Sequence, residues 1–570
     1  MTNKKFKLAA MSLALTACVA ASPLAANAES AGTEATSSAP AAETSADETK
    51  QESADESKQE STDETKQEST DESKQESTNE SKQETANKNE QNAAAENKVL
   101  AAAPVAKAPV LMADSLEAPA APTGAPTTPA EDNTVATITG QDGKTTGYTS
   151  FDEAVKAAQS GDTIEVVKDA KTTGIDLRDK NLTIKGKTVT TTTDSGTEEK
   201  TTVKPKLKFV AKEGKSQIAG ITLWGSDLTF QNMDVDMTGA SSTTYNKWNA
   251  VCMSDNAALT LNNTDLSMDG KDLDASAQGI YMAGRGRSVL NVDNHSTLTI
   301  NNYYNAIAWD GVADNNKGST YFINITNGST FTADGNGAGI VGRESLDVLV
   351  DNSTLTVTNC TDRSGINGAD VKIVNGSTAN ISGNHEGYGI HANDLLVENS
   401  TLTANNNGYG GIRITGKGEF TNSTVTVTGT EEKGNASVEI ACGIANETRT
   451  GPLNGSLSVR NSTLNISDNK ATGIACRTSK NGQFHSSLTI DDASRVTIQN
   501  NNATPKNDFN ANGDIGGGLR IEAGSTAVLG RSTVINNNTA QNGGGVYTKG
   551  GKVTINNSTI TENIATGNGG

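Results

Sequence analysis

The chain has 570 residues, of which 56 are glycine, with 34% hydrophobic and 4% aromatic residues and a net charge of −20. So few aromatic residues argue against a wide core and favour a thin core that repeats along an axis. Phosphate binding needs clustered Lys and Arg, and no basic patch occurs after the first few residues. The composition therefore argues against nucleic acid as a partner.

Residues 1–28 have the pattern of a secretory signal peptide. Three lysines precede an apolar run at 8–21, and a small-residue cleavage site ends at Ala28. We expect cleavage after Ala28, because the apolar run continues past Cys18; the alternative is a lipoprotein signal that uses Cys18. Either signal predicts an exported protein, and no other segment is apolar and long enough to span a membrane.

Residues 29–132 lack the apolar residues that a core needs. Acidic octads such as KQESTDET repeat with a lysine at every eighth position from Lys50 to Lys82, and an Ala/Pro-rich stretch follows. Such a composition predicts a disordered region and a semi-stiff spacer. The sequence thus divides into a signal peptide at 1–28, a disordered region at 29–132 and a folded segment at 133–570.

The folded segment begins with one amphipathic helix, in SFDEAVKAAQSGDTIEVV. Ser150 and Glu153 have the spacing of a capping box, and Phe151, Ala154 and Val155 would share one apolar face. A short helix before a long all-β chain predicts a cap over the first coil of a solenoid, whose strands would otherwise present an unpaired edge.

Two types of strand then alternate with a period of about 24 residues. The Ser/Thr-rich type has an apolar residue at its centre, and the Gly-rich type has an isoleucine. The central residues are Phe331, Leu355, Leu402 and Val425 for the first type, and Ile340, Ile366, Ile390 and Ile412 for the second. Asn and Gly stand at the turns, where they tolerate positive φ. This pattern predicts an all-β fold, a right-handed parallel β-helix solenoid with three strands per coil.

The C-terminal stretch carries a sharper motif, in VINNNTAQNGGGVY and TITENIATGNGG, where Gly516, Gly543 and Gly569 mark equivalent positions. These stretches resemble the repeats of polymorphic outer-membrane proteins and related bacterial surface β-helices. The resemblance implies an adhesin-like or structural protein at the cell surface, in the cell wall or outside a bacterium. Its implied partner is a host or matrix glycan or protein, and membrane contact would need an anchor outside this chain. We expect further coils after Gly570.

The sequence predicts no catalytic residues, no cofactor and no metal site, and hence not an enzyme. One polar set follows the Gly-rich strands of three successive coils and could contact a glycan: Arg285, Trp309, Asp310, Arg343 and Glu344. The alternative interpretation is exposed residues in ordinary ion pairs. The alternative function is a carbohydrate-active β-helix enzyme, a polysaccharide lyase or glycosidase, that uses this set.

The cysteines and histidines show no metal-binding or redox spacing. Four cysteines follow the signal peptide, namely Cys252, Cys360, Cys442 and Cys476. We expect small buried thiols, with a Cys442–Cys476 disulfide as the alternative. His385 and His391 lie six residues apart, and we expect a surface role for both.

Overall fold

The structure is a computed structural model. It describes residues 133–140, 143–192, 198–202, 204–244, 247–309, 320–342, 345–431, 436–440, 443–444, 452–479, 482–503 and 516–569. All of these lie within the compact unit Glu117–Gly570. The predicted signal peptide with Ala28, and the predicted disordered region up to residue 132, lie outside the described residues.

The described chain begins with a small antiparallel sheet and one helix. Strand Ala136–Thr139 pairs with Thr145–Tyr148 and with Thr163–Val166. The helix Phe151–Ala157 buries Phe151 and Ala154. No described helix has the length and hydropathy to cross a lipid bilayer.

The predicted capping box is wrong. Ser150 occupies the N-cap position, but its side chain makes no capping hydrogen bond. The neighbouring Asp152 carboxylate instead accepts hydrogen bonds from Thr173, from the backbone N–H at 3.1 Å and from the hydroxyl at 2.7 Å. The helix is therefore tied to the segment that leads into the first coil, and not to its own first turn.

The rest of the chain winds through three columns of parallel strands, so the predicted parallel β-helix is confirmed. Column 1 contains Ile175–Arg178, Ile221–Trp224, Lys247–Ser254, Gln278–Ala283, Asn305–Trp309, Ala338–Val341, Gly410–Ile414, Ala436–Ile440, Thr472–Cys476, Leu519–Ile521 and Val546–Thr548. Column 2 contains Leu182–Gly186, Asp227–Gln231, Ala258–Asn262, Arg287–Asp293, Thr320–Thr326, Leu346–Asp351, Lys417–Thr421, Ser456–Arg460, Ser487–Ile490, Thr526–Leu529 and Lys552–Ile555. Two long strands run through both columns, Ile366–Val374 and Tyr388–Glu398.

Column 3 closes each coil. It contains Ala170–Thr172, Lys206–Phe209, Asp234–Asp236, Asp265–Asp269, Thr297–Asn301, Thr330–Asp334, Thr354–Thr358, Thr378–Ser382, Thr401–Thr403, Thr424–Thr428, Thr463–Ser467, Arg495–Gln499, Ser532–Asn536 and Thr559–Thr561. A short parallel sheet lies after its C-terminal strands, formed by Asn502–Ala503, Thr539–Asn542 and Ile564–Asn568. Antiparallel additions are the hairpin Thr188–Thr192 with Glu198–Thr202, the strand Ser242–Thr244, and the pair Gly443–Ile444 with Pro452–Leu453.

The repeat residues stack one above another in the core. In column 3, Phe331, Leu355, Ala379, Leu402 and Val425 are successive partners in register. In column 1, the residues in register are Ile340, Ile366, Ile390 and Ile412. All are fully buried. These stacked residues therefore form part of the thin core that the composition favours.

Glycine precedes these isoleucines because the core is narrow there. A Cβ added to Gly389 would lie 2.7 Å from the Gly411 carbonyl oxygen, and one added to Gly411 would lie 2.3 Å from Cγ1 of Val427. Neither distance is possible for a real side chain. Glycine at this position lets column 1 approach column 3. The residue after the isoleucine then lies on the outer face.

Two ladders of buried polar side chains join the coils. In the serine ladder each backbone N–H donates to the next hydroxyl, as from Ser353 to Ser377 at 3.2 Å. In the asparagine ladder the Asn501 amide donates to Oδ1 of Asn538 at 2.9 Å. Thr430 replaces asparagine in the turn before Ala436–Ile440, and its buried hydroxyl has no hydrogen-bond partner among the described residues. The amide ladder is therefore interrupted at that coil.

Coil length is nearly constant from Ile340 to Val438 and irregular on both sides of this stretch, since the earlier intervals in column 1 include 46 residues from Ile175 to Ile221 and 33 from Ile307 to Ile340. Partners in column 1 are 24 residues apart from Ile366 to Ile390 and 26 from Ile412 to Val438. The next intervals are 36 residues to Ile474 and 45 to Leu519. The additional residues lie directly after or directly before strands of column 1. In the last described coil, Ile555, Ile560 and Ile564 are exposed.

Candidate functional site

The glycan-contact set predicted from the sequence is only partly described. The backbone N–H of Arg285 donates to Asp255 at 2.9 Å. Trp309 pairs in register with Met282, three residues before Arg285, and its ring packs 5.6 Å from that of Tyr321. Trp309 and Arg285 therefore do not occupy equivalent positions. The other three members lie outside the described residues: Asp310, Arg343 and Glu344. The glycan role of this set stays a prediction.

A different set of polar residues lies on the outer face of column 1. Strand residues alternate between the two faces of a sheet, so the residue after each core isoleucine points away from the core. The partners in register at this outward position are Asn367, His391, Arg413, Glu439, Ala475 and Arg520. Chemically active side chains thus stand on adjacent coils, about 4.8 Å apart along the solenoid.

Hydrogen bonds and ion pairs connect these residues to their neighbours. The Tyr388 hydroxyl donates to Oε2 of Glu439 at 2.6 Å. Nη1 of Arg477 lies 3.8 Å from Oε1 of the same carboxylate. Oε1 of Glu522 lies 3.1 Å from Nε of Arg477 and 2.8 Å from Nη2 of Arg520. We call the whole set the charged cluster: Tyr388, His391, Arg413, Glu439, Arg477, Arg520 and Glu522.

Aromatic rings border the cluster on its N-terminal side. The Arg413 guanidinium lies 5.7 Å from the centre of the Tyr388 ring. The rings of His391 and Tyr409 lie 6.1 Å and 6.3 Å from that ring. Tyr409 is 39% exposed. The cluster therefore has an accessible aromatic edge beside its buried charges, an arrangement that suits contact with a sugar ring.

Two guanidinium groups in the cluster have nitrogen atoms without a partner. Glu439 is 5% exposed and Arg520 is 8% exposed. Nε of Arg413 and Nε of Arg520 are buried and have no hydrogen-bond partner among the described residues. An unsatisfied buried donor is costly, and one on a charged group especially so. In the described chain both nitrogens are therefore unsatisfied donors that the protein itself covers.

Protonation states within the cluster differ from those in water. Burial disfavours the charged form of Glu439, but Arg413, Arg477 and the Tyr388 hydrogen bond outweigh burial, and its pKa is lowered. Burial and the charge of Arg413 lower the pKa of His391 to about 4. Burial and Glu439 raise the pKa of Tyr388. At neutral pH the cluster thus holds a carboxylate, a neutral imidazole and a neutral phenol.

Three arginines and two glutamates give the cluster one net positive charge, in a chain whose net charge is −20. His391 lies half-buried on the outer face, between charged neighbours, and its expected surface role stays a prediction. The sequence contained one usable signal, which is the residue that directly follows each isoleucine of the Gly-rich strands. Among the described residues, no group of His, Cys, Asp and Glu is arranged to hold a metal ion.

The cysteine predictions have mixed outcomes. Cys252 and Cys360 are buried thiols, as predicted, and burial raises the pKa of each to about 12. Cys476 is also buried. Cys442 lies outside the described residues, so the Cys442–Cys476 pairing stays open.

No protein-family model matches the chain. No curated protein matches its sequence. Among solved structures, one similar chain is the alginate lyase AlyF-OU02, solved as a complex, with 13% identity and a TM-score of 0.32, over 71% of this chain and 85% of the lyase. Another is the periplasmic alginate epimerase AlgG, with 11% identity and a TM-score of 0.26, over 70% of this chain and 85% of the epimerase.

The expectation that the chain is not an enzyme is contradicted by these matches, since both solved proteins act on a polysaccharide. At this identity and these TM-scores the likeness carries no argument about residues or reaction. The chemistry of this chain is therefore argued below from its own cluster. The resemblance to polymorphic outer-membrane protein repeats has no counterpart among the matches, and the adhesin function stays a prediction.

Proposed function

We propose that the charged cluster binds a uronic-acid polysaccharide and removes a proton from a sugar carbon next to a carboxylate, which leads to cleavage by β-elimination. The observation that carries the proposal is the register of His391 with Arg413, and of Arg413 with Glu439. It places a neutral imidazole, a guanidinium with an unpartnered nitrogen and a carboxylate on three adjacent coils.

Arg413 would bind the uronate carboxylate. Arg413 is half-buried, and its planar guanidinium suits bidentate contact with a carboxylate. Neutralising the carboxylate also makes the neighbouring C–H more acidic, because the enolate-like charge that develops is stabilised. Burial is the main cause of the lowered pKa of His391, and the same contact would offset the smaller contribution of the Arg413 charge.

His391 would take the proton from C5 of the uronate. The electron pair of that bond would form the C4–C5 double bond, and the bond from C4 to the linking oxygen would break. The imidazolium, stabilised by the nearby Glu439, could return its proton to the departing oxygen. Tyr388 has a raised pKa and donates to Glu439, so it positions that carboxylate and is a poor source of protons.

Hydrolysis by a glycosidase suits the cluster less well. Such enzymes need one carboxyl group that stays protonated as a general acid. Glu439 has a lowered pKa, and Glu522 is ion-paired with both Arg477 and Arg520. Neither is placed to carry the proton. The predicted export would bring the cluster into contact with polysaccharides outside the cytoplasm.

The test is incubation of the chain in deuterated buffer with alginate, polygalacturonate and a glucuronate polymer, with dextran as the neutral control. Ultraviolet absorbance would report the unsaturated product of elimination, and NMR would report deuterium at C5 of uncleaved polymer, which reversible proton removal would introduce. We expect product from a uronate polymer and none from dextran. His391→Asn removes the proposed base and should abolish product formation. The fold should tolerate the change, since asparagine already occupies the equivalent position at Asn367.

The matched control is His295→Asn. His295 has a φ of 60°, which asparagine tolerates, and it lies outside the cluster. Activity that survives His391→Asn, or that is lost equally in both variants, would contradict the assignment of the base. Binding of uronate polymers without product or deuterium exchange would instead favour the adhesin-like role predicted from the repeats.

A further inference from the structure

Column 2 has a depression on its outer face, in the two coils that follow Glu419. Its volume is about 290 Å³, close to the lower end of the range for ligand pockets, which is about 300–1,000 Å³. Six outward side chains from two adjacent strands line it, namely Ser456, Ser458, Arg460, Ser487, Thr489 and Asp491. The alternate residues Leu457 and Val459 are buried in the core. All six outward side chains are polar, so the depression suits a hydrophilic ligand.

The depression forms because the outward side chains of column 2 become shorter at this point. The successive partners in register at the central outward position are Asn324, Leu349, Lys372, Leu396, Glu419, Ser458 and Thr489. Glu419 pairs with Lys417 at 2.8 Å, and these two longer side chains border the depression on its N-terminal side. Serine in the next strand leaves space beside them, so the face of the sheet becomes concave.

The donors and acceptors of the depression are accessible. Its hydroxyl side chains are half-buried or exposed, and within the described chain none of them has a hydrogen-bond partner: Ser456, Ser458, Ser487 and Thr489. Arg460 is exposed and forms no ion pair with a described residue. A ligand in the depression could therefore bind these groups without breaking a contact inside the protein.

Asp491 is a fixed acceptor at the end of the depression. Its Oδ1 accepts hydrogen bonds from the backbone N–H of Ser494 at 2.8 Å and from the Ser494 hydroxyl at 2.6 Å. The backbone N–H of Asn461 donates to Oδ2 at 3.1 Å. A carboxylate has about four lone-pair sites, so Oδ2 can accept a further hydrogen bond. Asp491 and the neighbouring Arg460 carry opposite charges, so the depression has no net charge.

We propose that this depression binds a neutral sugar unit of a glycan. Hydroxyl side chains both donate and accept hydrogen bonds, as sugar hydroxyls do, while Arg460 adds donors and Asp491 adds acceptors. An uncharged ligand with several neighbouring hydroxyl groups matches this set. An apolar ligand would leave the polar groups without partners, and an anionic sugar would meet the Asp491 carboxylate. The site lies on column 2 and shares no residue with the charged cluster, so it does not depend on the proposed function.

The experiment measures by calorimetry the affinity of the whole chain for trisaccharides of glucose, galactose and mannose, and for a uronate trisaccharide. We expect at least one neutral trisaccharide to bind. Arg460→Gln should lower its affinity about tenfold or more, as loss of a hydrogen bond to a charged group does, and leave the affinity for the uronate unchanged. Arg495→Gln is the control, because Arg495 is exposed in column 3.

A second variant, Ser458→Tyr, should fill the depression and abolish binding of the neutral sugar. The fold should tolerate it, since the long side chains of Lys372 and Leu396 occupy equivalent outward positions. Thr229→Tyr is its control, at the same position near the N-terminal end of column 2. The proposal is overturned if no neutral trisaccharide binds, if Ser458→Tyr or Arg460→Gln leaves the affinity unchanged, or if a control variant lowers it equally. Loss of uronate binding in Ser458→Tyr would also overturn it, because the ligand would then be an anionic sugar.

Discussion

Two stretches of column 1 present opposite chemistry on the same outer face. In the N-terminal coils this face is an apolar patch, formed by Cys252, Tyr281, Ala283 and Ala308, which packs separately from the main core. In the C-terminal coils the same face carries the charged cluster. The partners Cys252, Tyr281 and Ala308 occupy the same outward position as His391 and Arg413 do later.

The difference arises from one residue per coil, because the core beneath both stretches is the same. Val251 and Ile280 are fully buried under the apolar patch, at the register positions that Ile390 and Ile412 occupy under the cluster. The solenoid thus fixes where an outward side chain stands and leaves its chemistry free. Function can change by substitution on the outer face without cost to the stacked core.

The largest expected effect is on stability, from removal of the central carboxylate. Glu439→Ala would leave Arg413 and Arg477 near each other without their buried partner. Loss of one member of a buried ion pair costs about 3–5 kcal/mol in the free energy of unfolding. Denaturant titration measures this. Glu419→Ala is the control, since Glu419 pairs with Lys417 in a more exposed setting and should lose less than about 1 kcal/mol. Equal losses of unfolding free energy in the two variants would contradict the view that Glu439 is the partner in a buried ion pair.

A second effect is pH dependence. The folded pKa of His391 is about 4, below its ordinary value of 6.5. Between these values the unfolded chain binds more protons than the folded chain, so the free energy of unfolding falls as the pH falls from 6.5 towards 4. The loss is at most about 3 kcal/mol. Denaturation at several pH values should show this slope in the unaltered chain and in His295→Asn, and a shallower one in His391→Asn. An unchanged slope in His391→Asn would contradict the assignment of this pH dependence to His391.

A smaller effect is expected in the apolar patch. Cys252→Ser would place a hydroxyl where the surroundings are apolar, at a cost of about 1–3 kcal/mol. Cys252→Ala keeps the site apolar and should cost less, so a serine variant as stable as the alanine variant would argue against an apolar environment. Because burial raises the pKa of the Cys252 thiol to about 12, alkylating reagents should modify it only after unfolding.

The sequence predicted the inside of this molecule better than its outside. The aligned residues Leu355 and Leu402, or Ile366 and Ile390, repeat because each must fill the same narrow core, and their spacing alone reveals the register. Outward residues are under no such constraint. The contacts of His391 with Arg413 and Glu439 were not predicted, because neither residue lies near His391 along the chain.

Arg520 was missed for a second reason. The intervals of 36 and 45 residues after Val438 break the period of about 24, so an alignment by spacing loses the strand that carries Arg520. The predicted glycan set was taken from residues beyond the end of each Gly-rich strand, as at Arg285, whereas the cluster uses the strand itself. The capping box was wrong because the Ser150 side chain makes no capping hydrogen bond, while Asp152, two residues later, bonds to another segment.

The interruption of the asparagine ladder at Thr430 has a consequence for motion. At the following coils a buried amide side chain joins one coil to the next, as from Asn469 to Asn501 at 2.7 Å. At Thr430 the backbone N–H still donates to Oδ1 of Asn469 at 2.8 Å, but the buried hydroxyl has no partner among the described residues. The coil that carries Glu439 therefore has one side-chain hydrogen bond fewer to its neighbour, and we expect its amide hydrogens to exchange sooner than those of the following coils.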